Sequence, residues 1–306
     1  MQNRRSFIKN IGTGSLGVIV LGGATQAFAG HEPIQITILH TNDFHSHMDP
    51  FPKDAARNAG EGGMAKRAAM IQQIRTEQKN VLVFDAGDIF QGTPYFNYYK
   101  GEVELKLMTE MGYDAATIGN HDLDNGLEGL DSQLKNAGFP FINSNYDFSE
   151  TILAGKIIPY KIFKKQGIKI GVYGLGIELD GLVSKQNYGK TKYLDPLETA
   201  LKMEKFLKEE KNADLVICLS HLGYAYKEKK VSDLVIAAET YHTNLVIGGH
   251  THTFLKKPED VTNKSGESVL VNQVGFGGLI LGRIDFFFEK EGRNLISMHS
   301  TSNSQK

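Results

Sequence analysis

One cysteine, Cys218, stands in 306 residues. This excludes an intrachain disulfide, and its place in the apolar run LVICL marks a buried, inert thiol. Neither sign of charge is in excess, with 34 Lys and Arg against 35 Asp and Glu. That balance offers no electrostatic footprint for a nucleic-acid polymer or an anionic membrane. No apolar run reaches the ~20 residues of a membrane span, so no stable membrane anchor is expected. Repeats, low-complexity tracts and Pro/Ser-rich linkers are also missing, which favours a single domain. Gly60–Gly63 precedes a basic helical segment but lacks the Gly-Lys-Ser/Thr of a phosphate-binding loop. It reads as a helix entrance.

Residues 1–29 have a composition of their own. They open MQNRRSFIKN, continue with a glycine-rich apolar stretch from Ile11 to Gly23, and close on Ala27-Phe28-Ala29. A basic start, a short apolar centre and a small-x-small end describe a cleavable export signal. Arg4-Arg5 followed by Phe7 and Lys9 fits a twin-arginine signal, and no cysteine follows to make a lipoprotein. The expectation is therefore a signal over 1–29, a catalytic domain over 30–306, and a periplasmic destination. The domain would hold about 277 residues, enough for one large core. All three basic residues of the leader are lost on cleavage, leaving a mild formal charge of about −4.

Strand and helix signals alternate beyond the leader. Helical spacing appears over 64–78, at Leu127, Leu130 and Leu134 before Gly138, and at Val231, Leu234, Val235 and Ala238. Between them lie short runs rich in valine and isoleucine, so the order implies βαβ units and a mainly parallel sheet. Residues 161–174 predict a hairpin turning at Gln166-Gly167. SVLVNQVG (268–275) and GLILGRIDFFFE (278–289) predict another antiparallel pair. Two stacked sheets with helices outside follow, and the tail STSNSQK is expected to be disordered.

Five polar clusters end apolar runs in this chain. They are Asp43-Phe44-His45 after IQITILH, Asp85-Ala86-Gly87-Asp88 after VLVF (81–84), and Gly119-Asn120-His121-Asp122 at the end of AATIG (115–119). Ser220-His221 follows LVICL (215–219), and Gly249-His250-Thr251-His252 follows LVIGG (245–249). Open α/β sheets bind ligands at the carboxyl ends of parallel strands. Any one cluster alone reads equally as a strand cap or a turn. Their recurrence in every strand-end loop argues for a metal-assisted hydrolase. Two ions ~3.5–4 Å apart activate a water and clamp the oxygens of a phosphate. They need a shared carboxylate and several terminal imidazoles or carboxylates, few of them anionic. Two aspartates, one asparagine and four histidines taken from among these clusters would meet that condition.

ILHTNDFHSH, FDAGDIFQGTP, GNHDLDNG, LSHLG and GGHTH resemble, in order and spacing, the calcineurin-like metallophosphatase domain of the 5′-nucleotidase family. UDP-sugar hydrolases and 2′,3′-cyclic-nucleotide phosphodiesterases belong to the same family. The likeness runs from about Gln35 to Phe287, and NHDLDNG with FPFINSNY (139–146) places it on the nucleotidase side. It implies an α/β fold, a four-layer α-β-β-α sandwich. It implies one divalent metal held by Asp43, His45 and His252, a second by Asn120, His221 and His250, and Asp88 bridging them. His121 would face the phosphoryl group with Asp124 orienting it, and a metal-bridging hydroxide would attack phosphorus in line. Zn, Mn, Fe or Co would suit the ligands.

Two departures from the pattern stand out. Glutamine often occupies the position of His252, where histidine also ligates. The second, C-terminal domain that stacks the nucleobase is not seen, so a separately encoded specificity subunit is one expectation. The implied function is phosphomonoester hydrolysis of a small phosphorylated molecule, a nucleotide by analogy. A phosphodiesterase or sugar-nucleotide pyrophosphatase on the same metals, a thiosulfohydrolase, and a non-catalytic scaffold are the alternatives. His47, Asp85 and Asp122 are expected to support the ligands from behind, and His31, His40, His242 and His299 to have no role.

Overall fold

A computed structural model describes residues 33–289 and 294–304. The export signal expected over 1–29 lies outside the described residues. The first sheet contains β1 (Ile34–Thr41), β2 (Val81–Asp85), β3 (Ala115–Ala116), β12 (Ile280–Phe288) and β13 (Leu295–Ser304). Their order across the sheet is β13-β12-β1-β2-β3. The second sheet contains β5 (Tyr160–Lys165), β6 (Ile168–Gly176), β8 (Leu215–His221), β9 (Leu245–Gly248), β10 (Glu259–Thr262) and β11 (Ser268–Asn272). It runs β10-β11-β9-β8-β6-β5. A small ribbon of β4 (Tyr146–Asp147) and β7 (Lys192–Tyr193) stands apart from both. β1, β2 and β3 run parallel, as do β6, β8, β9 and β11.

The helices are α1 (Met64–Glu77), α2 (Pro94–Tyr99), α3 (Glu102–Glu110), α4 (Gly126–Leu134), α5 (Lys185–Tyr188), α6 (Pro196–Lys205) and α7 (Asp233–Glu239). Alternation along the central strands explains the layering. Ile36, Ile38, Leu82 and Phe84 meet Val172, Ile217, Leu219 and Ile247 between the sheets. Their neighbours Leu39, Val81 and Val83 point outward onto Ile71 and Ile74 of α1, Leu105 of α3 and Leu130 of α4. On the opposite side Val216, Cys218 and Val246 pack on Ala200 of α6 and Ile236 of α7. Strands buried on both faces read as unbroken apolar runs because successive side chains feed two different cores. The result is the expected four-layer sandwich. Cys218 is buried and its thiol is pushed well up by that burial.

Two expectations are corrected. Residues 268–275 and 278–289 do not pair with each other. β11 lies between β9 and β10 in the second sheet, while β12 lies between β1 and β13 in the first. The linking segment takes positive φ at Gly275, Gly277 and Gly278, which turns the chain across the top of the sandwich instead of back on itself. The tail is the second correction. Ser300 to Ser304 pair with Ile284 to Ile280 in β13, because backbone groups along β12 need partners whatever side chains the partner strand carries. Only Ala115 and Ala116 of AATIG pair as strand, at the sheet edge. The hairpin at Gln166-Gly167 forms as read, with φ of 48° and 88° at the two turn residues.

His40 shows what this packing costs in acid. It lies on β1 fully buried, its Nε2 accepting from Asn272 Nδ2 of β11 across the sheets at 2.8 Å. Burial lowers its pKa from 6.5 to about 3. Below the unfolded value the unfolded chain takes up a proton that the folded chain refuses, so stability falls as pH drops through this window. The slope is about 1.4 kcal/mol per pH unit from this group alone. In urea titrations between pH 7 and 4, His40→Gln should be less stable at neutral pH and converge on the parent at that slope. Parallel curves would show that His40 does not titrate in this way.

Candidate metal centre

All five polar loops meet at one end of the sandwich, where β1, β2 and β3 of one sheet and β8 and β9 of the other finish. Asp43, His45 and His252 form one group of donors, and Asp88, His221 and His250 a second. Within each group the candidate ligand atoms lie within 4.8 Å of one another. Asp88 Oδ2 is 3.1 Å from His221 Nε2 and 3.9 Å from His45 Nε2, so its carboxylate faces both groups. Asn120 Oδ1 lies 2.9 Å from His250 Nδ1, which adds the asparagine to the second group. The structure therefore brings together, at one end of the sandwich, all seven residues that the sequence offers as candidate metal ligands.

The donor atoms suit divalent cations better than they suit each other. His221 donates Nδ1–H to Ala86 O at 2.7 Å, which leaves its buried Nε2 facing Asp88 Oδ2 at 3.1 Å. His45 Nδ1 lies 3.1 Å from Gln91 O, and its Nε2 faces His252 Nε2 at 2.9 Å. Imidazoles oriented by carbonyls through Nδ1 present Nε2 lone pairs inward, the arrangement that metal-ligating histidines adopt. Two aspartates among neutral donors would leave a pair of divalent ions with net positive charge.

The backbone is bent to achieve this. Asp43, His45, Asp88, His250 and His252 all have φ between 49° and 71°. Such conformations cost a non-glycine residue about 1–3 kcal/mol and persist where the surroundings impose them. Asp122 imposes one of them. Its carboxylate accepts the N–H groups of Asp88, Ile89, Phe90 and Gly119 at 2.8–3.1 Å, tying the second loop to the third. Burial, then the Asp88 charge, push its pKa to about 7 against those donors. Asp85 is raised to about 7 by burial while it accepts from Thr41 Oγ1 and Gly87 N–H. Both act from behind the ligands as expected. His47 instead stacks on Phe51, with centroids 4.6 Å apart, and meets Phe276 edge-on at 6.4 Å.

His121 stands at the rim and joins neither group. Its Nδ1 lies 2.7 Å from Asp124 Oδ2, and that hydrogen bond above all raises its pKa. Its ring is 5.3 Å from that of His45. A protonated imidazole beside the donor clusters can offer a proton or a positive charge to an anion held there.

Several supporting residues escaped sequence reading. Asn42 Nδ2 donates to Asp43 Oδ2 and to Gly275 O, both at 2.6 Å, which couples the ligand to the crossover. Gln273 Nε2 donates to Gly249 O at 2.6 Å, and its Oε1 accepts from Thr251 Oγ1 and Thr253 N–H, clamping the loop of His250 and His252. Arg67 of α1 is buried with its guanidinium 4.4 Å above the Phe44 ring. The available signal was polar residues, Asn42 and Asn272-Gln273, standing at the ends of buried apolar runs. A cavity of about 840 Å³ between α1 and α3 lies away from these groups and is lined by residues such as Met64, Ile71 and Met111.

Gly119 tests how tight the arrangement is. A Cβ there would sit 2.2 Å from Asp88 Oδ1 and 2.5 Å from Asp88 N. Gly119→Ala should therefore weaken divalent-metal binding about 10–100-fold by titration calorimetry, the range for disturbed supporting groups. Wild-type affinity in a folded Gly119→Ala chain would contradict this geometry.

Comparison with known proteins places the centre in a family. Residues 36–254 match the calcineurin-like phosphoesterase family. A snake venom 5′-nucleotidase from Naja atra is 34% identical over 281 residues, which are 85% of this chain and 51% of that protein. Among solved structures, a 5′-nucleotidase precursor from Thermus thermophilus superposes with a TM-score of 0.80 at 31% identity, covering 89% of this chain and 55% of its own. The NAD nucleotidase of Haemophilus influenzae gives 0.78 at 27% identity, covering 90% and 51%. The chain thus spans about half the length of the relatives it matches. On fold, motifs and family match, it belongs to the calcineurin-like phosphoesterases and is homologous to the N-terminal domains of 5′-nucleotidases.

Proposed function

We propose that this chain is a dinuclear metal-dependent phosphohydrolase of 5′-nucleotidase type, exported by the twin-arginine route to the periplasm. The observation that carries the reading is Asp88, whose carboxylate faces both donor groups while His121 stands beside them outside either one. Asp43, His45 and His252 would hold one ion, Asn120, His221 and His250 the other, with Asp88 shared. Bound there, divalent ions would polarise the phosphoryl oxygens and acidify a water. Oxygen and imidazole donors suit Zn, Mn, Fe or Co.

The chain's own residues do the rest. Asp124 orients His121 and favours the protonated form of its imidazole. His121 thereby stabilises charge on the phosphoryl group or protonates the departing oxygen. Burial of Asp43, Asp88 and His221 excludes water from behind the ligands, so attack comes from the open side only. The nucleotide substrate is supported by the names of the relatives, and export by the composition of residues 1–29. No helix among the described residues is long and apolar enough to cross a membrane.

A phosphate-release screen on metal-reconstituted protein checks the reaction class. AMP should be turned over faster than bis(p-nitrophenyl) phosphate, UDP-glucose or 2′,3′-cyclic AMP. Preference for one of the latter three would move the assignment to a diesterase or pyrophosphatase, and inactivity on all four to a scaffold. His121→Ala should lower kcat about 10²–10⁴-fold with metal content by elemental analysis unchanged. Full turnover in that variant would remove His121 from the mechanism.

A further inference from the structure

Beside the donor groups lies an aromatic array that the proposed chemistry does not use. Phe276 stacks on His252 with centroids 5.1 Å apart and planes at 20°. Phe254, two residues beyond His252, meets Phe276 edge-on at 5.9 Å and 76°. Phe276 is half-buried, whereas Phe254 is 46% exposed. Among the described residues it is the one phenylalanine exposed to this degree. The other large exposed rings are tyrosines, whose hydroxyls suit water.

Phe254 is also held in place. It bridges Val274, with Leu255 N–H donating to Gln273 O and Gly275 N–H to Thr253 O. Its ring lies directly on Gly275, where a Cβ would stand 2.1 Å from the ring edge. Backbone supports the ring from behind, and nearly half of its surface remains in water. A rigid, supported, wet phenyl ring one ring away from a candidate metal ligand is poorly explained by folding. A side chain of this size gains about 1.5–3 kcal/mol from full burial.

We propose that Phe254, backed by Phe276 and Gly275, is the platform on which this site seats a flat aromatic group joined to the phosphate that it cleaves. The inference rests on the phosphohydrolase reading above and specifies its substrate: a phosphoester of a nucleobase-bearing or aryl alcohol. Charge at the donor groups fixes the phosphate, and the π face fixes the other end of the molecule. Val274, Gly275 and Phe276 present no polar side chain, so the platform reads aromaticity and not the hydrogen-bonding edge of a base. Stacking of this kind tolerates any base.

The test compares kcat/KM for AMP, p-nitrophenyl phosphate and ribose 5-phosphate, the last carrying no ring to stack. In Phe254→Ala and in Phe254→Leu, which keeps apolar bulk, the ratio of AMP to ribose 5-phosphate should fall about tenfold. The loss should lie in KM, and Phe254→Tyr should restore the ratio. A parallel fall for p-nitrophenyl phosphate extends the platform to aryl groups, and a fall for AMP alone restricts it to bases. An unchanged ratio, or an equal loss on all three substrates, overturns the proposal. A second readout does not depend on turnover. The chain contains no tryptophan, so Phe254→Trp introduces a single tryptophan at the platform, whose emission is excited selectively over that of the tyrosines. Adenosine, which has no phosphate, should quench it saturably while ribose does not. If no phosphomonoester is hydrolysed, the function proposed above fails on its own account, and absence of this quench separately removes the platform.

Discussion

A single buried carboxylate holds this site together. Asp88 leaves β2 on a left-handed backbone, its N–H bonded to Asp122 and its Oδ1 accepting from His121 N–H. These bonds turn Oδ2 toward His221 of the second sheet and His45 of the first loop. The Asp88 side chain therefore sits where the two sheets meet, and each donor group is completed only by loops from both. His221 and His250 come from strands of the second sheet, and Asp43 and His45 from the first. The centre exists because the sheets are stacked in register, and a slip between them would separate its halves.

That dependence explains why so much polar structure is buried near the site. Asp122 with four backbone donors, Asn42 between Asp43 and Gly275, and Gln273 under the last loop each join two segments that are distant in sequence. Buried polar groups are costly unless satisfied, and fully satisfied networks rigidify. Here they fix ligands in conformations that the residues would otherwise avoid. The apolar core between the sheets supplies the stability against which this strain is held.

Much of the fold was legible. Ile36, Ile38, Leu82 and Ile217 announced strands because both faces of their strands meet cores, and the Leu127 to Leu134 spacing announced α4. The donor residues were legible as well, since each follows an apolar run directly and strand ends place their residues predictably. What failed was pairing. SVLVNQVG and GLILGRIDFFFE look like hairpin partners because they are close in sequence and separated by glycines. Those glycines carry the chain to the other sheet, a choice decided by the open edge of β1, which no local pattern encodes. The polar tail failed for a related reason. Its strand is made by the ladder that β12 presents and not by any preference of serine or threonine.

The sequence by itself determined the residue types at each strand end, the alternation that buries each strand, and hence the kind of chemistry available. Those features are local, set by side-chain period and by the residue that follows the last strand position. Only the tertiary structure decided that Asp88 faces both donor groups, that Asn42 and Gln273 brace the ligand loops, and that Phe254 stands exposed beside Phe276. Several of these depend on meetings of distant segments, such as Asn42 with Gly275, 233 positions apart. Such distances are fixed by how two sheets pack, a property of the whole core that no stretch of sequence carries alone.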